Sequence, residues 1–131
     1  MSGYVADTSI FVAAEQRRPL GNPPAGDARI SVATLTELII GVHRAGDGPL
    51  RDVREGTLRS ARHFIALPYD AVVAERLAAI LAASRAQKRR AGAMDSIIAA
   101  TAVAHDLAVW TQDDDFGVLA ELEPALRVHR G

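Results

Sequence analysis

Short apolar segments alternate with longer helical segments along the chain, and this alternation constrains the fold more than any other feature. Gly3 to Ala6 is a short apolar segment typical of a buried strand, and Thr8 to Gln16 follows with the apolar spacing of a helix. Strands separated by helices generally pair in parallel. The sequence therefore predicts an α/β fold, a three-layer sandwich with a short, mainly parallel central sheet flanked by helices.

The remaining elements follow from the same patterns. Residues 17–29 contain three Pro and two Gly and are expected to form a loop. Two cores of about 65 residues each would be close to the lower limit of stability, so we expect one domain spanning residues 1–131. The other predicted strands are 30–33, 64–68, 108–111 and 126–129, and the other predicted helices are approximately 34–46, 49–63, 70–87, 94–105 and 113–122.

Composition excludes several classes of protein. The chain has no cysteine, which rules out disulfides, thiolate metal sites and a cysteine nucleophile. The N-terminus has no basic segment before its apolar residues, unlike a signal peptide. The longest apolar run, residues 97–104, is much shorter than the ~20 residues of a membrane span. We expect a soluble, cytoplasmic protein without a membrane partner.

Four acidic residues are predicted to lie at one edge of the sheet. Asp7 follows the first strand and Asp113 follows the strand at 108–111. Glu37 and Asp95 are each expected in the first turn of a helix. Because sites in open α/β sheets form at the carboxyl ends of the strands, we expect these four side chains to come together.

Each acid also has a structural explanation when it is considered alone. Asp7, Asp95 and Asp113 could cap helices, and Glu37 could be a solvated helix residue. Two carboxylates a few ångströms apart, however, repel each other by about 4 kcal/mol at an effective dielectric constant near 20. A cluster of four is therefore best explained by a bound cation, and a cage of carboxylates without Cys or His suits Mg²⁺, with Mn²⁺ as an alternative.

Four segments of the sequence carry a family resemblance. YVADTSIFVA, ATLTELIIGV, RRAGAMDSIIAATAVAHDL and AVWTQDDDF resemble, in this order, the signature segments of the PIN-domain ribonucleases. The short length is similar to that of the VapC toxins of bacterial type II toxin–antitoxin pairs. The resemblance implies a PIN-like fold and an Mg²⁺-dependent endoribonuclease, the toxin of such a pair, which hydrolyses RNA phosphodiester bonds with a metal-activated water.

The same resemblance assigns the catalytic residues. It places the family's acids on Asp7, Glu37, Asp95 and Asp113. Asp7 and Asp95 would be the main metal ligands, and Glu37 and Asp113 would complete the shell through water, orient the nucleophile or hold a second ion. Supporting hydroxyl groups are expected from Thr8 or Ser9 and from Thr111.

The acidic run after the fourth predicted strand leaves one position open. Many relatives have two residues between the acidic or Asn position and a later Asp-Phe, whereas TQDDDF has only Asp114 between Asp113 and Asp115. Asp113 and Asp115 share a parity and are expected to point the same way in an extended turn. We expect Asp113 to face the metal first and Asp115 second.

Partners are also implied by the resemblance: an RNA substrate, a VapB-like antitoxin and a second copy in a homodimer. The basic run Lys88–Arg90 is interpreted either as an RNA-phosphate contact or as a solvated helix end. Exposed apolar residues that could form interfaces are expected among Leu35, Ile39, Val42, Leu77, Ile80 and Leu81.

Two other functions agree less well with the sequence. An inert PIN-like interaction module would require degraded acids, and all four acids are present. A phosphotransfer domain would use Asp7 as a covalent nucleophile. Haloacid-dehalogenase-like enzymes have a D-x-D pair at that point, whereas this chain has Asp7-Thr8-Ser9.

Overall fold

The computed structural model describes residues 3–131 and contains a five-stranded sheet in which every pair of neighbouring strands is parallel. The strand order is β3-β2-β1-β4-β5. The strands are β1 (Gly3–Ala6), β2 (Asp27–Ser31), β3 (Ile65–Leu67), β4 (Ala108–Thr111) and β5 (Val128–Arg130). The helices are α1 (Thr8–Glu15), α2 (Val32–Arg44), α3 (Pro49–Ala61), α4 (Ala71–Ala86), α5 (Ala93–Ala104) and α6 (Asp115–Leu122).

Both faces of the sheet are covered by helices, as predicted. Successive side chains of a strand point to opposite faces, and β1 follows this rule. Val5 packs into a core with residues of α4, α5 and α6, among them Ile80, Ile98 and Phe116. Tyr4 belongs to a second core with residues of α1, α2 and α3. The two cores confirm the three-layer α/β sandwich.

The strand order also explains where a site can form. The strand order reverses at β1: β2 lies on one side of it and β4 on the other. In open α/β sheets, the connections that leave two such strands diverge to opposite sides, and a crevice forms at the carboxyl ends of those strands. In this fold the crevice lies beyond Ala6 of β1 and Thr111 of β4.

The second strand begins earlier than its sequence pattern predicted. Asp27 to Arg29 pair with β1 and belong to β2, so the predicted loop ends before Asp27. The strand ends at Ser31, whose hydroxyl caps the next helix by accepting a hydrogen bond from the amide of Ala33. Because α2 therefore begins at Val32, Glu37 lies in its second turn and not, as predicted, in its first.

The other predicted boundaries differ from the structure by at most two residues. Asp70 caps α4 as expected, since its carboxylate accepts a hydrogen bond of 3.0 Å from the amide of Val73. The turn between α2 and α3 depends on Gly46 and Gly48, whose φ angles of 68° and 120° favour glycine.

The expected exposed apolar residues were partly wrong. Ile80 is buried in the core that α4, α5 and α6 form with Val5, and Val42 is also buried. Leu81 is exposed as expected. The other large apolar side chains on the surface of the described chain are Leu20, Ile40, Leu50, Val53, Phe64, Ile65, Tyr69 and Val72.

Within residues 3–131, no helix has both the length and the apolar character that a membrane span requires.

Candidate active site

Asp7 lies at the carboxyl end of β1 and is only 2% exposed. It occupies the position before the first residue of α1, where a carboxylate often caps the helix. Its shortest hydrogen bonds, however, join hydroxyl groups. Oδ2 accepts one of 2.6 Å from the hydroxyl of Thr111 and one of 2.7 Å from the hydroxyl of Ser9. The carboxylate is therefore held in a fixed position inside the crevice.

The same hydroxyl groups connect the ends of β1 and β4. Ser9 Oγ accepts a hydrogen bond of 2.9 Å from the amide of Gln112. Thr111 Oγ1 accepts one of 2.9 Å from the amide of Asp113. The segment after β4 is thereby anchored to the segment after β1, and this anchoring brings Asp113 toward Asp7.

Glu37 is held by Thr8 in a similar way. The hydroxyl of Thr8 donates a hydrogen bond of 2.6 Å to Glu37 Oε1 and lies 3.1 Å from Thr34 Oγ1. Thr34 is fully buried one helical turn before Glu37. Thr8 and Ser9 were alternatives in the sequence, and the structure uses both, one for Glu37 and one for Asp7. Thr34 was not identified from the sequence, although its spacing of three residues from Glu37 placed both on one helix face.

Three of the carboxylates form a compact group. One oxygen from each of Asp95, Asp113 and Asp115 lies within 4.8 Å of the other two. Asp95 is in the first turn of α5, and Asp115 begins α6. Asp113 also accepts a hydrogen bond of 3.0 Å from the amide of Asp115, which fixes their relative position. Asp114 is instead paired with Arg130 at 3.1 Å.

Charge repulsion and burial act together on these acids. Burial, followed by the charges of Asp7, Glu37, Asp113 and Asp115, raises the pKa of Asp95 to about 7. Burial also raises the pKa of Glu37, with smaller contributions from Asp7 and Asp113. The pKa of Asp7 is raised by burial as well, although its hydrogen bonds to Thr111 and Ser9 oppose the change. All five carboxyl groups therefore form one electrostatic unit.

This unit fits a divalent cation. Its donors are all carboxylate oxygens, which hard cations such as Mg²⁺ prefer. Burial, together with the charges of several neighbouring acids, raises the pKa of Asp95, and a bound cation would compensate those charges. The fit therefore rests on both the kind of donor and its spacing.

Comparison with known proteins identifies the family. A model of the PIN domain matches residues 4–122. The chain belongs to the PIN domain family.

Individual relatives agree with this assignment of the PIN domain. Ribonuclease VapC4 of Mycobacterium tuberculosis is 39% identical over 120 residues, which cover 91% of the chain and 92% of the relative. Ribonuclease VapC5 of the same organism is 38% identical over 116 residues, covering 88% of the chain and 86% of the relative. A crystal structure of VapBC-5 from M. tuberculosis, described as a member of the VapBC family of toxin–antitoxin systems, superposes with a TM-score of 0.84 at 32% identity. That superposition covers 100% of each chain.

Two cavities adjoin the carboxylates of this PIN domain. A cavity of about 220 Å³ contains Asp95, Asp115 and the exposed Arg90. The neighbouring Arg89 is instead paired with Glu121 at 2.7 Å. A larger cleft of about 440 Å³ begins at Thr8 and Glu37 and extends between α1, α2 and α3. The sequence showed neither cavity, because both depend on how separate helices pack.

Proposed function

We propose that this PIN domain is an Mg²⁺-dependent endoribonuclease and the toxin of a type II toxin–antitoxin pair. The observation that carries the proposal is the convergence of Asp95, Asp113 and Asp115 within 4.8 Å at the carboxyl end of the sheet. The names of its relatives, ribonucleases VapC4 and VapC5, support an RNA substrate.

The cation would be held by Asp95, Asp113 and Asp115, with Asp7 and Glu37 as the other members of the set. When bound, it would supply Lewis-acid activation of a phosphodiester and of the attacking water. Mn²⁺ has the same preference for oxygen donors and is expected to substitute for Mg²⁺.

The chain's own residues have distinct tasks in this proposal. Thr111 and Ser9 both donate hydrogen bonds to the same carboxylate oxygen of Asp7, Oδ2. The other oxygen of Asp7 is left for the reaction centre. Thr8 likewise donates a hydrogen bond to one oxygen of Glu37. Glu37 and Asp7 orient the nucleophilic water, and one of these two carboxylates accepts its proton, a task helped by their raised pKa values. The water oxygen bonds to phosphorus, the bond to the leaving oxygen breaks, and the leaving oxygen takes a proton from solvent. Arg90, in the cavity beside Asp95 and Asp115, contacts a phosphate of the RNA.

An antitoxin and a second copy of the chain are the proposed protein partners. The antitoxin is supported by the similarity to VapBC-5, a toxin–antitoxin system. The homodimer is supported by apolar side chains that are half or more exposed, which include Val53, Ile65, Tyr69 and Val72. Light scattering on the purified chain tests the dimer, and a monomer at all concentrations would contradict it.

The decisive experiment compares two Asp→Asn variants that differ in location. We expect Asp95→Asn to abolish Mg²⁺-dependent RNA cleavage, because it removes a proposed ligand. Asp114→Asn lies in the same region but outside the cluster and should retain activity. Each protein is expressed in bacteria, RNA ends are sequenced, and the purified chain is assayed on RNA with Mg²⁺ or EDTA.

The alternative of an inert interaction module predicts a different result. In that case neither the parent nor either variant would produce new RNA ends or arrest growth. A phosphotransfer domain would instead become covalently phosphorylated on Asp7, which intact-protein mass spectrometry would detect.

A further inference from the structure

The cleft that begins at Glu37 is not used by the carboxylate cluster itself. Its volume of about 440 Å³ lies within the range of about 300–1,000 Å³ that small-molecule sites occupy. Thr8 and Glu37 belong to both the cleft and the acidic site, and Met94 is the neighbour of Asp95. One nucleotide could therefore place its phosphate at the carboxylates and another of its groups in the cleft.

Part of the cleft is lined by apolar side chains. These are Val12 of α1, Leu38 and Ile40 of α2, and Met94 of α5. Gly41 also lines the cleft and leaves space there, since a Cβ added at this position would meet its nearest neighbour, Arg54 Cδ, only at 3.8 Å. These apolar side chains suit the face of a flat ring.

Polar groups at the cleft provide both donors and acceptors. The Arg44 guanidinium has no hydrogen-bond or ion-pair partner within residues 3–131. One oxygen of Glu15 accepts a hydrogen bond of 2.8 Å from Thr57, which fixes the carboxylate and leaves its second oxygen to accept a hydrogen bond from a ligand. Gln16 adds an amide at the same cleft. An apolar ring with donors and acceptors on its edge would satisfy these groups.

We propose that this cleft binds one unpaired base of the RNA, adjacent to the phosphate that is cleaved, and thereby selects the cleavage site. The inference rests on the proposed ribonuclease function. Sequence-specific proteins generally read RNA through unstacked bases, by contacts to the ring and hydrogen bonds to its edge. We expect guanine to be preferred, because its O6 and N7 atoms match a guanidinium and its N–H groups match a carboxylate.

Filling the cleft tests its role without touching the carboxylates. Gly41→Leu places a side chain in the cleft, and it also replaces a helical glycine with a stronger helix former, so α2 should remain folded. Gly56→Leu is the matched control, because Gly56 is a helical glycine of α3 that does not line the cleft. The expected result is a loss of preferred cleavage sites in Gly41→Leu alone, while weak, unselective cleavage remains.

Removing the free guanidinium tests the base contact. We expect Arg44→Gln to lower kcat/KM about tenfold or more for RNA with guanine at the preferred site, and much less for RNA without it. Arg85→Gln, an exposed arginine in the last turn of α4, removes the same charge elsewhere and should affect both RNAs equally and weakly. A structural effect of Arg44→Gln would instead lower both activities together.

A binding measurement separates this inference from the proposed activity. Fluorescent oligouridine with one G, A or C is titrated into Asp95→Asn protein with and without Arg44→Gln. Guanine-selective binding that depends on Arg44 supports the base site even if the parent protein cleaves no RNA, in which case the proposed ribonuclease function fails alone.

One result would overturn the base site: the parent, Gly41→Leu and Arg44→Gln all cleave RNA at the same set of ends. If both variants also escape inhibition by a coexpressed antitoxin, the cleft is assigned to an antitoxin peptide.

Discussion

The hydroxyl of Thr111 donates a hydrogen bond of 2.6 Å to Asp7, although the two residues are 104 positions apart in sequence. This bond joins the carboxyl ends of two neighbouring parallel strands. It favours the charged form of Asp7, whereas burial raises the pKa of the same carboxyl group. The hydroxyl therefore positions a buried carboxylate and keeps it available as an anion.

Removing this hydroxyl should weaken metal binding without unfolding the protein. Thr111→Val retains the shape of the side chain but loses the donor to Asp7 and the acceptor for the amide of Asp113. Because partners of metal-ligating residues typically contribute about 10–100-fold in affinity or activity, we expect Mg²⁺ affinity to fall by about that factor. Calorimetric titration measures it, and Thr111→Ser should restore most of the affinity. Equal affinity in Thr111→Val and the parent would contradict this role.

Neutralising Asp95 should raise stability while it removes activity. In metal-free protein above pH 7, the charged Asp95 is disfavoured first by its burial and then by repulsion from the other four carboxylates of the site, Asp7 and Glu37 before Asp113 and Asp115. We therefore expect Asp95→Asn to have a higher Tm than the parent in EDTA at pH 8. In Mg²⁺ this difference should shrink or reverse, since only the parent retains the full set of ligands. A lower Tm in EDTA would indicate that Asp95 stabilises the fold.

The pKa of Asp95 predicts a pH dependence with a defined sign. Its value of about 7 in the folded chain exceeds the ordinary 3.8, so the folded state binds more protons than the unfolded state between these values. Stability of the metal-free protein should therefore fall as pH rises from about 4 to 7. Mg²⁺ competes with the proton, so its apparent affinity should rise through about pH 7. Thermal melts between pH 5 and 8, with EDTA or Mg²⁺, check both trends.

Asp95→Asn serves as the control for this pH series. The variant lacks the carboxyl group whose pKa is raised most, so the Tm of the metal-free variant should vary less over the same pH range. An equally steep decrease in the variant would assign the effect to other acids, such as Glu37.

Asp70 should affect stability alone. It caps α4, and its carboxylate accepts a hydrogen bond of 3.0 Å from the Val73 amide. Asp70→Ala should lower the free energy of unfolding by about 1 kcal/mol, the typical cost of losing such a cap. Urea denaturation measures this loss. Because α4 contributes none of the five carboxylates, kcat of the folded protein should be unchanged, and a large decrease would connect α4 to the site.

The hydrophobic pattern was sufficient to predict the succession of strands and helices along the chain, because strand and helix periodicities are local properties. The beginning of β2 was not predicted. Asp27 to Arg29 lack an apolar pattern of their own and become a strand by pairing with β1. The local pattern also could not show that Ser31 ends that strand by capping α2.

The sequence by itself determined the kind of chemistry: several acids after strands and near helix starts, no cysteine, and four segments that resemble one family. Only the tertiary structure decided which acids meet. It brought Asp115 beside Asp95 and Asp113, turned Asp114 toward Arg130, and used Thr8 and Ser9 for different carboxylates. The physical reason is that distances between distant residues depend on strand order and helix packing, which a local pattern does not encode. The cleft beside Glu37 has the same origin, since three helices and the start of α5 form it together.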